Sequence, residues 1–525
     1  MTKTKFPKLN IHKILEWFRN ISTVKFKIIT SFLVFLLSYW LIYRNNSFFS
    51  GDMGIIGTIT DDFSQGKFYS WYFYGQNYFG NLEPLILSIL TRISGNSVQS
   101  LYFWEHFWYF LTSVLVFLTL PKLRNWQTII SVLAFFFSVK YYDYLYFPQG
   151  FSFTLLIITV FYYIFQKVYA NQIQINNWLF LLVGGFTTLG IWFNPSISII
   201  FPIFLIIYFY KVFLKEIKIK IEHFVWGLFG LLAGIIPFIF AFIETAGKNV
   251  EWFSTNKSGN IFANIVYFGA DYLYFFSNQN RINISSNRDI LFSTLFDARV
   301  LFGVITSLMI LLFLIFSLKF WKEKLVAFLF LFFSSFLLLN KDLGQDPYLF
   351  KYIRYAIPSF TFILIIIFGS LNALGKNKYT IMLNYLCMVI VVILTCFGIS
   401  RSYNLFINAS SKPQTYEIVA DKLINYYRAE GIFCDNYFDL CMSISYKNKD
   451  ANFKVEMIDS GEKTSLRNPS TIGVVNNIWM KGGKVFSLVR EDKFSPACKV
   501  LEVFSNQPGS TKYYLLEGKY SDCKI

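Results

Sequence analysis

Long apolar segments recur along this 525-residue chain, and they constrain its fold more than any other feature of the sequence. The hydrocarbon core of a bilayer is about 30 Å thick, so a helix needs about 20 mostly apolar residues to cross it. Only 15% of the residues are charged, against roughly 25% in a soluble domain. We therefore predict an α-helical polytopic membrane protein with about eleven transmembrane helices. The predicted spans are residues 26–43, 100–120, 126–140, 151–166, 178–193, 196–214, 224–243, 300–318, 325–339, 353–371 and 381–399.

Charge placement orients these spans. With a cytoplasmic N-terminus, the internal connections carry clusters of lysine and arginine, and the external connections collect aspartate and glutamate, which is the positive-inside pattern. The formal net charge of +17 is thereby explained without a nucleic-acid partner. Residues 1–25 form a basic cytoplasmic N-terminus that runs directly into the first span. Because no small-residue cleavage site follows that span, we expect an uncleaved signal anchor and a transmembrane domain over residues 26–400.

The composition changes after residue 400. Residues 401–525 contain no long apolar run, and an odd number of spans places this tail outside the cytoplasm. The pattern predicts an amphipathic helix from Gln414 to Glu430. Strands are predicted at residues 431–434, 442–446, 471–475, 484–489 and 500–504. We therefore expect a small extracytoplasmic α/β domain over residues 401–525.

Cysteines are concentrated in the same tail, at Cys434, Cys441, Cys498 and Cys523. Four cysteines allow three pairings, which an oxidising compartment would permit, and reduced buried thiols are the alternative. The other two, Cys387 and Cys396, lie about 13 Å apart along one predicted helix. That separation is too large for a disulfide.

The first outer loop, residues 44–99, is too long for a simple connection and holds two acidic residues of interest. Apolar residues at helical spacing predict a short amphipathic helix at the membrane surface after Asp52. Asp52 can equally be the N-cap of that helix, whose oxygen satisfies a free backbone N–H. Glu83 precedes Pro84 and a second amphipathic run, where an acid in the first turn is favoured by the helix dipole.

The order of short motifs along the chain resembles a known family. Gly51-Asp52 and a surface helix are followed by YGQNYFGNLEP at 74–84, GIWFNP at 190–195 and KYIRYAIP at 351–358. This order resembles the GT-C membrane glycosyltransferases, most closely the bacterial branch related to protein O-mannosyltransferases and the lipid A aminoarabinose transferase. The resemblance covers most of residues 20–370.

The resemblance implies an enzyme of the bacterial inner membrane. Such an enzyme takes a sugar from a polyprenyl-phosphate donor and places it on an envelope lipid, glycan or protein at the outer face. The family's first-loop acid falls on Asp52 and its second acid on Glu83, which makes these two the candidate catalytic residues. Gln76 and Tyr78 become candidate substrate contacts. Many relatives have an acidic pair where Asp52 is followed by Met53, and some have a lysine where this chain has Pro84.

Cations near the donor phosphate would stabilise the charge that develops on it. Lys351 and Arg354 lie three residues apart on one helix face at the outer end of a late span, with Tyr355 beside them as a hydrogen-bond donor. Their alternative role is interfacial snorkelling. Asp52 and Glu83 are also candidate ligands for a divalent cation, because hard cations favour carboxylate oxygens.

Other ionisable residues carry less information. His12, His106 and His223 are scattered without metal-ligand spacing and are expected to be structural or solvated. Asp143 and the Glu105-His106 pair could reach an external cavity or be solvated. A flippase or polymerase of lipid-linked oligosaccharides is the nearest alternative function. A non-catalytic transporter is less compatible, since the spans are nearly free of charge and no internal repeat is visible.

Overall fold

The computed structural model describes most of the predicted bundle and tail. The described residues are 23–43, 51–74, 80–120, 123–138, 151–245, 298–318, 322, 324–339, 357–371, 378–408, 415–435, 439–448, 453–458, 473–490, 498–505 and 512–519.

Helices dominate the chain up to residue 408. They are α1 (Thr23–Tyr43), α2 (Gly51–Ser64), α3 (Leu82–Ser94), α4 (Val98–Thr119), α5 (Asn125–Phe137), α6 (Phe151–Tyr169), α7 (Asn177–Phe193), α8 (Ile200–Phe213), α9 (Ile221–Gly234), α10 (Ile236–Thr245), α11 (Ala298–Ser317), α12 (Leu325–Leu339), α13 (Ile357–Ser370) and α14 (Lys378–Asn408). A 3-10 turn, Pro195–Ile199, separates α7 from α8, so Asn194-Pro195 is a break between two helices as the sequence suggested.

Within the described residues, six helical stretches have the length and apolar composition to cross a membrane, and five shorter apolar helices accompany them. Each predicted span coincides with one of these stretches. The long ones are Thr23–Leu41, Val98–Thr119, Phe151–Tyr169, Pro195–Phe213, Ile221–Glu244 and Ile381–Ser400. The shorter ones are Asn125–Phe137, Asn177–Phe193, Ile305–Ser317, Leu325–Phe336 and Ile357–Ser370.

Two contacts join segments predicted to lie on the cytoplasmic side. The Nζ of Lys27 donates to the carbonyl oxygens of Phe117 at 2.7 Å and Leu120 at 2.9 Å, at the end of α4. These carbonyls lack helical partners, so a lysine there satisfies them. At the same predicted side, the Tyr169 hydroxyl donates to the Lys322 carbonyl at 2.8 Å. The first outer loop contacts the tail just before the start of α4.

Glycines let two membrane helices approach closely. A Cβ at Gly184 would lie 2.3 Å from the Gly227 carbonyl oxygen, and a Cβ at Gly230 would lie 2.1 Å from that of Leu181. Small residues at such contacts allow helix backbones to touch, which is a usual way of packing helices in lipid. Helices α7 and α9 are thereby joined along their lengths.

The tail forms a five-stranded mixed sheet with helices against it. Its elements are α15 (Thr415–Asp421) with a π-helical turn at Lys422–Tyr426, β1 (Gly431–Asp435), α16 (Asp439–Lys447), β2 (Lys454–Ile458), α17 (Val474–Met480), β3 (Val485–Arg490), β4 (Val500–Ser505) and β5 (Lys512–Glu517). The strand order is β2-β1-β3-β5-β4. Strand β1 pairs in parallel with β2 and β3, whereas β5 pairs antiparallel with β3 and β4. The predicted fold class, a polytopic helical membrane protein with a small α/β domain, is confirmed.

Two of the predicted tail strands are wrong. Residues 442–446 lie in helix α16, and residues 474–475 begin helix α17 after Gly473. In α16, four consecutive residues from Cys441 to Ile444 are buried. A helix covered on several sides carries apolar residues around its circumference, so its sequence resembles a buried strand. Strands β2 and β5 were not predicted.

A disulfide joins Cys434 in β1 to Cys441 in α16. Cys498 is disulfide-bonded as well, and Cys523 lies outside the described residues. Cys387 and Cys396 are free, as their predicted separation required. The reduced alternative for the tail is therefore wrong for Cys434, Cys441 and Cys498.

Candidate functional site

Glu83 lies in the first turn of α3, as predicted, and is only 1% exposed. Asn81, two residues earlier, is the N-cap residue of α3, but its side chain makes no capping hydrogen bond. The Asn81 amide nitrogen instead donates to the carbonyls of Ser70 at 3.0 Å and Tyr72 at 2.6 Å. The start of α3 is therefore anchored to the chain that enters the 74–84 motif.

The neighbour of Glu83 is a second buried acid, Glu105, which comes from α4 and is fully buried. The Glu105 carboxyl lies close enough to that of Glu83 to feel its charge, and it lies near the Ser152 hydroxyl at the start of α6. These contacts are loose, since neither Glu105 oxygen makes a hydrogen bond of ordinary length and angle with a described residue. Two buried carboxyls side by side repel when both are ionised, so such a pair favours a shared proton or a bound cation.

Of the two alternatives left open for Glu105, solvation is excluded, and His106 beside it is also fully buried. The Nδ1 of His106 lies 3.2 Å from the Tyr102 carbonyl oxygen, one helical turn earlier. His223 is 6% exposed and stacks on Phe180. Both histidines therefore have structural surroundings.

The chain between α2 and α3 closes on itself where Trp71 and Tyr72 meet Gly80 and Asn81. Tyr72 and Gly80 form an isolated antiparallel bridge, and the Asn81 backbone N–H donates to the Trp71 carbonyl at 3.4 Å. Gly80 packs flat against Trp192 of the GIWFNP motif, because a Cβ there would lie 2.5 Å from the indole. The Nε1 of Trp192 donates to the Trp71 carbonyl at 3.2 Å. Two motifs that are distant in sequence thus share one contact.

A further acid, Asp62, is buried near the end of α2, at 4% exposure. Burial raises the pKa of its carboxyl to about 6, the hydrogen bond from Tyr74 and the charge of Lys67 lower it, and the charge of Asp61 raises it. The Tyr74 hydroxyl donates to Asp62 Oδ2 at 3.0 Å. The pKa of Tyr74 is raised mainly by burial and next by the charge of Asp62, so this hydroxyl keeps its proton.

Glu244 ties the same loop to the end of α10. Its Oε2 accepts a hydrogen bond from the Trp71 backbone N–H at 2.7 Å. The Trp71 ring also stacks on Phe240, with ring centroids 5.2 Å apart. The first outer loop is therefore held by α7 and α10 as well as by its own helices.

The remaining predicted site residues are only partly described. The backbone of Asp52 lies in the first turn of α2, and its helix begins one residue earlier, at Gly51. The side chain of Asp52 is outside the described part of the chain. So are Gln76, Tyr78, Lys351, Arg354 and Tyr355, together with Asp143 and His12. The structure brings Glu83 together with Glu105, which the sequence had not paired.

In the described ranges, no three of the His, Cys, Asp and Glu side chains gather closely enough to hold a metal ion. The Glu83 and Glu105 carboxyls supply oxygen donors of the kind that hard divalent cations prefer. The side chain of Asp52, the other predicted ligand, is not among the described side chains.

Comparison with known proteins identifies the fold. No protein-family model matches this chain, and no curated protein matches it. The chain is similar to the crystal structure of ArnT from Cupriavidus metallidurans bound to undecaprenyl phosphate, with a TM-score of 0.54 and 9% sequence identity. The similarity covers 93% of this chain and 97% of that chain. The chain therefore has a GT-C-like fold.

Proposed function

We propose that this protein is a membrane glycosyltransferase that moves a sugar from a polyprenyl-phosphate donor to a lipid, glycan or protein of the cell envelope. The observation that carries the proposal is the fold similarity along 93% of the chain to ArnT, whose crystal structure contains undecaprenyl phosphate. The buried acids at the first outer loop add chemistry suited to transfer, since a carboxylate can act as a general base on an acceptor hydroxyl.

The proposed orientation places the first outer loop and the tail outside the cytoplasm of a bacterial inner membrane. Three observations support it. Lys27 contacts the end of α4, the first outer loop contacts the tail just before the start of α4, and the tail contains disulfides. Disulfides persist in oxidising compartments, and the positive-inside rule assigns the lysine-rich end to the cytoplasm.

In this proposal Asp52 is the general base and Glu83 assists at the same site. Lys351 and Arg354 hold the donor phosphate, Tyr355 donates a hydrogen bond to it, and Gln76 and Tyr78 contact the substrates. A leaving phosphate gains negative charge during transfer, so fixed cations stabilise the transition state more than the ground state. A divalent cation held by Asp52 and Glu83 would add to that stabilisation.

The function is tested by mass spectrometry of envelope lipids and glycans from cells with and without the protein. A sugar that is missing without the protein identifies the product and the acceptor together. Without a transferase, the lipid-linked sugar should accumulate on the outer leaflet of the membrane. Its accumulation on the inner leaflet, together with the same missing sugar, would contradict transfer and support a flippase.

The role of Asp52 is tested with two matched variants on α2, Asp52→Asn and Asp61→Asn. We expect Asp52→Asn to abolish transfer by the purified protein without changing its melting temperature, because the amide keeps an oxygen for capping but is not a base. Asp61, whose Oδ2 accepts from Gln65 Nε2 at 2.8 Å, is the control and should remain active. Full turnover by Asp52→Asn would remove it from the site.

The donor site is tested with Arg354→Lys and Arg354→Ala. Arginine binds phosphate through two parallel hydrogen bonds, whereas lysine acts as a point charge. We therefore expect Arg354→Lys to weaken donor saturation and Arg354→Ala to nearly eliminate it. Snorkelling predicts a donor curve for Arg354→Lys that superimposes on that of the parent.

The proposed cation is tested by chelation and by Glu83→Gln. A neutral amide is a weaker ligand for a hard cation than a carboxylate. If a cation takes part, chelation should stop transfer, and Glu83→Gln should raise the metal concentration needed to restore it. Unchanged turnover of the parent after chelation would exclude an essential cation.

A further inference from the structure

Helix α2, which begins the first outer loop, packs directly against helix α16 of the tail. Two glycines one turn apart make this contact possible. A Cβ at Gly54 would lie 2.6 Å from the Met442 carbonyl oxygen, and a Cβ at Gly57 would lie 2.2 Å from the Tyr446 ring. Residues three apart share one helix face, so both glycines face the tail.

A polar contact accompanies the packing. The Tyr446 hydroxyl donates to Asn96 Oδ1 at 2.5 Å, and Asn96 Nδ2 donates to the Gly57 carbonyl at 2.9 Å. Asn96 lies in the turn between α3 and α4. A single tyrosine of the tail therefore contacts α2 with its ring and the α3–α4 turn with its hydroxyl.

On its other side, α16 is fixed within the tail. The disulfide from Cys441 to Cys434 joins it to β1, and it packs against α15 and β2. Cys441, Met442 and Ile444 are fully buried. Helix α16 is therefore held by the tail on one side and supports α2 on the other.

Helix α2, predicted to be a short amphipathic helix at the membrane surface, buries its apolar residues against protein. Met53, Ile55, Ile56 and Ile59 are all buried. A helix buried on more than one side has its position fixed by its neighbours. Asp52 lies two residues before Gly54 on this helix.

We propose that the tail domain is a positioning element of the site, and that Tyr446 is the positioning residue through which it sets the place of α2 and hence of Asp52. The expected effect of this positioning on turnover rests on the proposed function. A misplacement of about 1 Å in a reacting group can lower a rate by about a hundredfold, so a packing contact one turn away affects turnover strongly. Donor binding, which is assigned to Lys351 and Arg354, should be unaffected.

The test uses the full-length protein with Gly57→Ala, Tyr446→Ala and the double variant. We expect Gly57→Ala to lower kcat about tenfold or more, with the donor KM unchanged, because the new methyl group pushes α2 from the Tyr446 ring. The double variant should lose less than the product of the two single losses, since removal of the Tyr446 ring leaves room for the methyl group added at Gly57. Gly369→Ala is the matched control, because its Cβ would lie 3.7 Å from the nearest atom, at Leu120.

A second measurement does not depend on transfer. Hydrogen exchange in residues 51–64 and 439–447 should rise together in Gly57→Ala and stay at the parent level in Gly369→Ala. Tyr446→Phe keeps the ring and removes only the hydroxyl, so it should fold, lose a smaller part of kcat and increase exchange around Asn96.

The outcomes separate the positioning role of Tyr446 from the proposed glycosyltransferase function. If exchange rises in both segments but kcat stays at the parent value, the contact is real and the positioning role is overturned. If the two single losses multiply in the double variant, the contact through Tyr446 is overturned. If the parent transfers no sugar while exchange behaves as described, the proposed function fails, and the contact through Tyr446 positions α2 without serving transfer.

Discussion

Two glycine-lined contacts differ in what the glycines face. In the bundle, Gly230 of α9 faces the carbonyl oxygen of Leu181 in α7, so the two helices touch backbone to backbone. Between the first outer loop and the tail, Gly54 faces the Met442 carbonyl oxygen but Gly57 faces the Tyr446 ring, so the helix touches both backbone and a side chain. A carbonyl moves only when its whole helix moves, whereas a ring can turn. The inner contact therefore sets a fixed helix spacing, and the outer contact can be retuned where it meets the Tyr446 ring.

The surroundings explain this difference. In lipid, no hydrophobic force draws apolar helices together, so close backbone contact and interhelical hydrogen bonds provide the attraction. The Thr188 hydroxyl contributes one such bond, to the Leu231 carbonyl at 3.0 Å. At the tail, burial of apolar residues such as Ile55, Ile56 and Ile444 supplies the attraction instead.

Substitution of Gly230 should break the inner contact and produce the largest effect. We expect Gly230→Leu to prevent accumulation of folded protein, because its Cβ would lie 2.1 Å from the Leu181 carbonyl oxygen and 2.9 Å from the Gly185 nitrogen. Folded yield is measured by size-exclusion chromatography in detergent. The control is Gly227→Ala, whose nearest neighbour would lie at 3.5 Å. A monodisperse Gly230→Leu protein at parental yield would show that this helix pair can separate.

Removal of the Cys434–Cys441 disulfide should loosen the outer contact alone. Loss of a native disulfide from a small domain typically costs about 2–5 kcal/mol. We expect the double variant Cys434→Ala/Cys441→Ala to speed proteolysis and hydrogen exchange in β1 and α16, and to leave α7 and α9 at parental exchange. Cys396→Ser, at a free and exposed cysteine, is the control. Equal exchange in the tails of both variants would mean that packing alone holds α16.

The membrane part of the fold could be predicted from the sequence because lipid imposes one simple requirement. Every predicted span from residues 26–43 to 381–399 coincides with an apolar helix. The tail was harder, since α16 is buried on several sides and its residues read as a strand. Strand β2 gave too short a signal to be separated from a loop. Local pattern therefore sufficed where the solvent is uniform and failed where burial depends on a partner distant in sequence.

The candidate site shows the same limit. Glu83 could be singled out because a motif and a helix start coincide at it. Glu105 could not be paired with it, since the two acids meet only when α3 crosses α4 in space. The burial of Asp62 could not be predicted either, since its partner is Tyr74, twelve residues later. Spacing identifies residues on one element, and it does not report which elements will touch.

Asp62 should make the first outer loop sensitive to pH in a way that the inner contact is not. Burial raises its pKa in the folded protein from 3.8 to about 6. Between these values the folded protein binds the proton more tightly than the unfolded chain does, so stability falls as pH rises through this window. Each pKa unit between the folded and unfolded states corresponds to about 1.4 kcal/mol of folding stability.

We therefore expect Asp62→Asn to melt at a higher temperature than the parent above this pH window, and the difference to disappear below it. The amide keeps an oxygen that accepts the Tyr74 hydrogen bond and carries no charge to bury. Tyr74→Phe should lower the melting temperature above this window, because it removes the hydrogen bond that lowers the Asp62 pKa. Parallel melting curves for Asp62→Asn and the parent across the whole range would contradict a buried titrating carboxyl.

The smallest effect should come from Thr188→Val, which sharpens the comparison between the two contacts. Valine keeps the shape of threonine and removes the hydroxyl that donates to Leu231, while Gly230 and the backbone contact remain. Interhelical hydrogen bonds in membranes average about 0.6 kcal/mol, so we expect a barely lowered melting temperature and parental exchange in α7 and α9. The matched change at the outer contact is Tyr446→Phe, which should raise exchange in its own segment because fewer backbone contacts remain to hold it. If Thr188→Val loosens α9 as much as Tyr446→Phe loosens α16, the inner contact depends on its hydrogen bond, and the close approach of the glycines does not hold it alone.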